Sequence, residues 1–114
     1  MSFRPEIVVR DVPGRDRILA DIEGRIEELG SAFPYITRCR VMVEPSSRRR
    51  VHGNHCHVCL DVHVPGKEVV VRREPDDRDS HEVDVTIRDA FRTARRQLDE
   101  HEKIRRHQVK NHDR

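Results

Sequence analysis

The sequence has few large apolar side chains: no tryptophan, one tyrosine and three phenylalanines occur among its 114 residues. Hydrophobic residues reach only 34%, whereas charged residues account for 39%. A chain of this length forms one domain, and with this composition its core must be lean. The composition therefore argues against a deep enclosed pocket, and we expect neither a cofactor nor a small-molecule substrate.

Long apolar runs and a secretory signal are also absent. No stretch approaches the ~20 apolar residues that a membrane-spanning helix requires. The N-terminus lacks the successive positive, apolar and small-residue regions of a signal peptide. We therefore expect a cytoplasmic protein with no membrane partner, in which Cys39, Cys56 and Cys59 are reduced thiols.

Four strands are predicted. A short β-branched segment followed by a turn predicts the first at 6–10, alternation of apolar and polar residues predicts those at 37–44 and 55–64, and the fourth, at 67–73, is the hairpin partner of the third. In the third strand, His55, His57, Cys59, Asp61 and His63 are predicted to face outward. A Pro-Gly pair at 65–66 predicts a hairpin turn into the fourth strand.

Two helices are predicted around these strands. The first runs from Arg15 to about Leu29, with Gly30 as its C-cap. The second follows a capping box of Asp79 and Glu82. Its buried stripe comprises Val83, Ile87, Ala90, Phe91, Ala94 and Leu98. The predicted fold is α+β, ordered β-α-β-β-β-α, a four-stranded sheet with two helices packed on one face. Residues 1–106 are the predicted single domain, and 107–114 are predicted to form a polar, frayed tail.

The strongest physical signal is a run of basic residues on the last helix. At ~100° of turn per residue, they fall roughly 80° to 180° from the apolar stripe. This set, which we call the basic ridge, comprises Arg88, Arg92, Arg95, Arg96, Lys103, Arg106 and Lys110, and only Arg105 falls outside it. A contiguous row of cations along a rigid helix suits a phosphate backbone. The basic loop of Arg48, Arg49 and Arg50 points the same way, because adjacent arginines repel one another unless a partner neutralises them.

A plainer interpretation of the ridge is a solvated face held by intrahelical ion pairs. Arg95–Asp99, Asp99–Lys103 and Glu102–Arg106 all have the i, i+4 spacing that allows such pairs. The sequence leaves this alternative open.

The Cys-x-x-Cys sequence at Cys56 and Cys59 raises the question of a metal or redox site. On a strand these two residues point to opposite faces and cannot bind one zinc ion together. A redox pair would require a helix N-terminus there. His57, Cys59 and His63 share a face, but no further ligand pair completes a site, so we predict no metal centre. The common nucleotide-binding, hydrolase and metalloprotease motifs are missing, so we also predict no catalytic residues and no enzyme.

Three stretches, at 35–41, 62–75 and 83–98, resemble the bacterial ribosome hibernation promoting factors. This family is also called ribosome-associated inhibitor A or sigma 54 modulation protein. The resemblance extends from about Glu6 to Arg106 and implies the same β-α-β-β-β-α fold, which is similar to a double-stranded RNA-binding domain. It further implies a partner, the small ribosomal subunit, bound near the decoding centre so that mRNA and tRNA sites are blocked and translation is inhibited during stress or stationary phase.

The resemblance implies contacts from basic side chains to ribosomal RNA phosphates. Carried onto this chain, the first candidates are Arg88, Arg92, Arg95, Arg96 and Lys103, followed by Arg106, Arg48, Arg49 and Arg50. Arg25 on the first helix is a weaker candidate, because Glu23, Glu27 and Glu28 make its surroundings acidic.

The sequence departs from the family in two respects. Long members carry a C-terminal dimerisation domain, and this sequence ends at Arg114 without one, which predicts a short form and favours a monomer over a homo-oligomer. The outward-facing His55, His57 and His63 are unusual for the family, and two interpretations stay open: they are tolerated on an exposed sheet face, or they strengthen RNA binding at acidic pH. Two alternative functions also stay open: a general binder of structured RNA, and a metal- or redox-responsive regulator that uses the His/Cys strand.

Overall fold

The computed structural model describes residues 3–45, 56–74 and 83–112, with the side chains of the last helix described as far as Arg106. Its elements are β1 (Glu6–Val9), α1 (Arg15–Ala32), β2 (Arg38–Pro45), β3 (Cys56–Val64), β4 (Lys67–Arg73) and α2 (Val83–His112). The predicted order β-α-β-β-β-α and the α+β class are confirmed.

The four strands form one sheet in the order β1-β2-β3-β4. β1 runs parallel to β2, whereas the other neighbouring pairs are antiparallel. Parallel neighbours need a crossover, and α1 supplies it. The tight turn between β3 and β4 contains Gly66 at φ +81, a left-handed conformation that glycine adopts without strain.

Both helices cover the same face of this sheet, as predicted. The strands contribute to the core the buried residues Val9, Cys39, Val41, Val43, Cys56, Val58, Leu60, Val62, Val64, Val69 and Val71. The helices contribute Ile18, Ile22, Ile26, Leu29, Ile87, Ala90, Phe91, Ala94 and Leu98. The alternate residues of the strands make up the other face, which we call the open face.

The faces of the strands, which were predicted, also determine which of the three thiols are buried. Cys39 and Cys56 are buried in the core, whereas Cys59 is only half-buried on the open face. Burial, and secondarily the charge of Asp61, raises the pKa of Cys39 to about 12. Burial likewise raises the pKa of Cys56. Cys56 and Cys59 thus lie on opposite faces, which removes the geometric basis of a shared zinc or redox site.

One predicted helix boundary was wrong. α1 ends at Ala32 rather than near Leu29, and Gly30 is buried inside it rather than acting as its C-cap. The reason is Phe33, which is buried in the core and whose N–H donates to the Leu29 carbonyl at 2.9 Å, so the last turn stays closed.

α2 runs past Arg106 to His112. Side chains beyond Arg106 lie outside the described residues, so the frayed tail at 107–114 stays a prediction. The capping box of Asp79 and Glu82 also lies outside them. Within the described ranges, no helix has the length and apolarity needed to cross a bilayer.

Val70 and Val71 are adjacent on β4 and allow a test of whether only one face of the sheet is buried. Val71 is 4% exposed and Val70 is 43% exposed. We expect Val71→Ala to lower the free energy of unfolding by about 2 kcal/mol, through lost apolar transfer and a residual cavity. The matched Val70→Ala should cost less than about 1 kcal/mol. Urea denaturation measures both, and equal losses would contradict the assignment of faces.

Candidate nucleic-acid interface

The two helices lie side by side on the sheet and leave a cleft between them. This cleft, of about 240 Å³, is lined by Arg25, Glu28, Leu29, Arg88, Phe91, Arg92 and Arg95, and we call it the arginine cleft. Leu29 and Phe91 are buried and belong to the core. The structure therefore brings three members of the basic ridge together with Arg25 of α1 around one concave surface.

The ion pairs of α2 test the plainer interpretation, in which the basic ridge is a solvated face held by intrahelical ion pairs. Among the described residues, Glu102–Arg106 forms at 2.9 Å, but neither Arg95–Asp99 nor Asp99–Lys103 is present. Arg88 has only a long contact to its neighbour Asp89, at 3.7 Å. Intrahelical pairing thus accounts for Arg106 and leaves most of the ridge uncompensated.

Four members of the ridge have no ion pair within the described part of the chain: Arg92, Arg95, Arg96 and Lys103. All four are exposed. Arginine offers a planar set of donors that matches the geometry of phosphate oxygens. From Arg88 to Lys103 the ridge extends about 22 Å along the helix, at about 1.5 Å per residue. A polyanion laid along α2 would therefore meet a row of unsatisfied donors.

Arg25 also lines the arginine cleft, but its guanidinium is already paired with a carboxylate. Its Nε donates to both carboxylate oxygens of Asp21, at 3.1 and 3.2 Å. Glu28 lines the cleft beside it. Its glutamate neighbours made Arg25 a weak candidate from the sequence, but its pairing with Asp21 was missed, although the i, i+4 spacing of the two residues signals it.

Arg96 lies on the other flank of α2. It lines an open depression of about 600 Å³ together with Lys67, Gln97, Glu100, His101 and Ile104. Lys67 comes from the start of β4, so no helical periodicity could have placed it next to Arg96. The basic surface therefore continues across α2, from the arginine cleft to the β3–β4 turn.

Among the described residues, three short side-chain hydrogen bonds fix α2 on the rest of the fold, in addition to a longer contact of 3.4 Å between His101 Nε2 and the Pro65 carbonyl oxygen. Arg17 Nη1 donates to Asp84 Oδ2 at 2.6 Å, and Arg73 Nη2 donates to Thr93 Oγ1 at 2.7 Å. Tyr35 Oη donates to Glu102 Oε2, also at 2.7 Å. These contacts recur along the helix and use no residue of the basic ridge.

The Tyr35 contact is the most elaborate of the three. Its ring packs edge-on against Phe33, with centroids 6.2 Å apart, and the Arg105 guanidinium lies 5.4 Å from its centroid. Arg105, the one basic residue predicted outside the ridge, thus has a structural partner. Burial and the accepting carboxylate of Glu102 raise the pKa of Tyr35 to about 12. The same hydrogen bond, with nearby arginines, lowers the pKa of Glu102 below its ordinary value of 4.5.

Some of the predicted contact residues lie outside the described residues. These are Arg48, Arg49 and Arg50; the side chain of Lys110, a member of the basic ridge, also lies outside the described residues. His55 lies outside them as well.

Comparisons with known proteins agree with the fold. A sequence model of the family described as sigma 54 modulation protein / S30EA ribosomal protein matches residues 6–106. No curated protein matches the chain by sequence. Among solved structures, a ribosomal subunit interface protein from Coxiella burnetii superposes with a TM-score of 0.68 at 12% identity, covering 87% of this chain and 97% of that one. The N-terminal domain of Thermus thermophilus Protein Y gives a TM-score of 0.61 at 18% identity, covering 86% and 96%.

The Tyr35–Glu102 hydrogen bond can be tested by ultraviolet absorbance, because Tyr35 is the only tyrosine and the chain has no tryptophan. In an alkaline titration, tyrosinate absorbance should rise with a midpoint near pH 12 rather than 10.0. Since the folded pKa is raised, the stabilising contribution is complete below pH 10.0 and is lost as the pH rises towards about 12.

Glu102→Gln should move this midpoint down, because the variant keeps an acceptor oxygen but removes the negative charge that disfavours tyrosinate. Glu100→Gln, which removes an equal charge two positions away, should leave it in place. Midpoints that coincide in wild type and Glu102→Gln would show that the contact does not form in solution.

Proposed function

The chain belongs to the family of sigma 54 modulation proteins and S30EA ribosomal proteins, a ribosome-associated family, and on that premise we propose that it binds the small ribosomal subunit near the decoding centre and inhibits translation. The observation that carries this proposal is the set of four cations, Arg92, Arg95, Arg96 and Lys103, that have no ion pair among the described residues and lie on the exposed side of an anchored helix. Ribosomal RNA is the polyanion that such a surface would meet on a ribosome. The setting is the cytoplasm, in cells under stress or in stationary phase.

The mechanism is steric and electrostatic rather than catalytic. Arg92, Arg95 and Arg96 donate to RNA phosphate oxygens, and the release of counterions from the RNA favours binding. Because three short side-chain hydrogen bonds hold α2 in place, little freedom of the helix is lost on association. The bound domain then occupies space that mRNA and tRNA need. No bond is made or broken in this process, which agrees with a family of ribosome-associated factors rather than enzymes.

A general binder of structured RNA is the second candidate. Contacts to phosphates position a protein on RNA but carry no sequence information, and the ridge offers contacts of this kind. Competition distinguishes the two functions. A ribosome factor stays on small subunits at an excess of duplex RNA that strips a general binder from them.

Charge reversal on the ridge tests the interface. We expect Arg92→Glu/Arg95→Glu to abolish co-sedimentation with purified small subunits at moderate salt. If residual binding is measurable at low salt, the slope of log K against log[salt] should become shallower by roughly 1 to 2 units, as two phosphate contacts are lost. The wild type itself should bind at low salt and weaken steeply as salt rises.

The matched control is Arg38→Glu/Arg72→Glu, which reverses the same number of charges. Arg38 and Arg72 are exposed and lie on the open face, away from the helices. This variant should retain most of the binding. Equal losses in the two double variants would show that net charge alone governs association, and failure of the wild type to bind at low salt would rule out the ribosome.

A second prediction concerns Arg25. Asp21→Asn removes the carboxylate that holds Arg25 and leaves a free guanidinium in the arginine cleft. We expect tighter binding to small subunits, by roughly two- to fivefold, the scale of one partly exposed ion pair. Glu23→Gln removes the same charge from an exposed position of α1 and should change affinity less. If both variants gain equally, the cleft is not part of the interface.

A further inference from the structure

The open face carries a cluster of potential metal ligands that the ridge and the cleft do not involve. Asp61 and His63 are alternate residues of β3 and so share this face, and Glu68 of β4 is the cross-strand partner of His63. His63 Nε2 lies 3.2 Å from Asp61 Oδ1 and 3.6 Å from Glu68 Oε1. One ligand atom from each of the three residues lies within 4.8 Å of the other two.

The carboxylate of Asp61 is incompletely satisfied. Its Oδ1 is buried, and among the described residues it has no hydrogen-bond partner, although His63 lies within ion-pair distance. Arg40 stands directly opposite Asp61 in the register with β2, yet its Nε lies 3.0 Å from Glu6 Oε2 on β1. Arg40 is thus within ion-pair distance of Glu6, although its Nε, like Asp61 Oδ1, is buried without a hydrogen-bond partner among the described residues. A buried carboxylate oxygen without a donor is costly unless something positive approaches it.

One imidazole nitrogen and two carboxylate oxygens form a recognised set of ligands for zinc and related first-row divalent metals. We propose that Asp61, His63 and Glu68 bind a divalent transition-metal ion, such as zinc, on the open face of the sheet. Three protein ligands at a partly exposed surface leave the remaining coordination positions to water. The ion would occupy the space between the two carboxylates and give Asp61 Oδ1 its missing partner.

From the sequence we weighed Cys56 with Cys59, and His57 with Cys59 and His63, and predicted no metal centre; the site proposed here shares only His63 with those sets. Cys59 lies on the same face but its sulfur is not among the grouped ligand atoms, and Cys56 is buried in the core. Glu68 is brought to His63 only by the pairing of β3 with β4. In the competing arrangement the same three residues bind no metal. His63 is then protonated, and its positive charge lies between the two carboxylates.

Metal binding to the full-length chain tests the proposal. Isothermal titration with Zn²⁺, in the presence of a non-chelating reductant, should show saturable binding of one ion per chain that depends on this cluster. Asp61→Asn, His63→Gln and Glu68→Gln should each weaken it by at least about tenfold, since even outer-sphere partners of a metal commonly contribute that much. Arg38 faces His63 from β2, and Arg38→Ala should strengthen binding by removing a repelling charge.

His57→Gln is the matched control. His57 lies on the same strand and face, and its Nε2 is likewise 3.0 Å from a carboxylate, that of Glu44. The His57→Gln variant should bind the ion at Asp61, His63 and Glu68 as the wild type does. Binding that is lost in His57→Gln and kept in His63→Gln would overturn the proposal, as would the absence of saturable binding.

Cobalt provides a second readout that does not depend on affinity. Co²⁺ bound by nitrogen and oxygen ligands should give visible d–d absorption without a thiolate charge-transfer band. Such a band would assign the ion to a cysteine and overturn the proposal. The Arg92→Glu/Arg95→Glu variant should bind Zn²⁺ as the wild type does, and His63→Gln should still sediment with small subunits, because the site and the basic ridge lie on opposite sides of the sheet.

Discussion

The architecture rests on the burial of one sheet face beneath two helices. The core that results is almost entirely aliphatic, with valines from the strands packed against isoleucine, leucine and alanine from α1 and α2. A chain with 39% charged residues cannot place them inside. The charges are therefore divided between two surfaces that the core keeps apart, the outer side of the helices and the open face of the sheet.

Because the apolar stripe of α2 packs on the sheet, the helix carries its many cations on the opposite side. The attachment of the helix turns this side into a candidate interface. Asp84, Thr93 and Glu102 connect it to α1, β4 and the segment that follows α1, so its orientation is set without drawing on the ridge. The ridge is thus presented on a rigid support, and its arginines keep their donors for a partner.

Local periodicity made much of the fold predictable. The order of elements, the faces of β2 and β3 and the position of Arg105 outside the ridge all depend on repeats of two or 3.6 residues, and the structure confirms them. Features that depend on contacts between distant segments escaped prediction. Tyr35 and Glu102 are 67 positions apart. Lys67 lines the same depression as Arg96 from another element, and Glu68 is opposite His63 only through strand register. The end of α1 was missed because the burial of Phe33 outweighs the usual preference for glycine at a helix terminus.

The unequal burial of the three thiols has a practical consequence. Two sulfurs point into the core with pKa values raised by burial, so a thiol-directed reagent at neutral pH meets little thiolate there. Cys59 is only half-buried and lies on the open face of the sheet. A single fluorophore or cross-linker can therefore be attached to the native sequence on the side that faces away from the helices. The protein thus carries its own attachment point for distance measurements on a ribosome, with the label pointing away from the surface that would contact RNA.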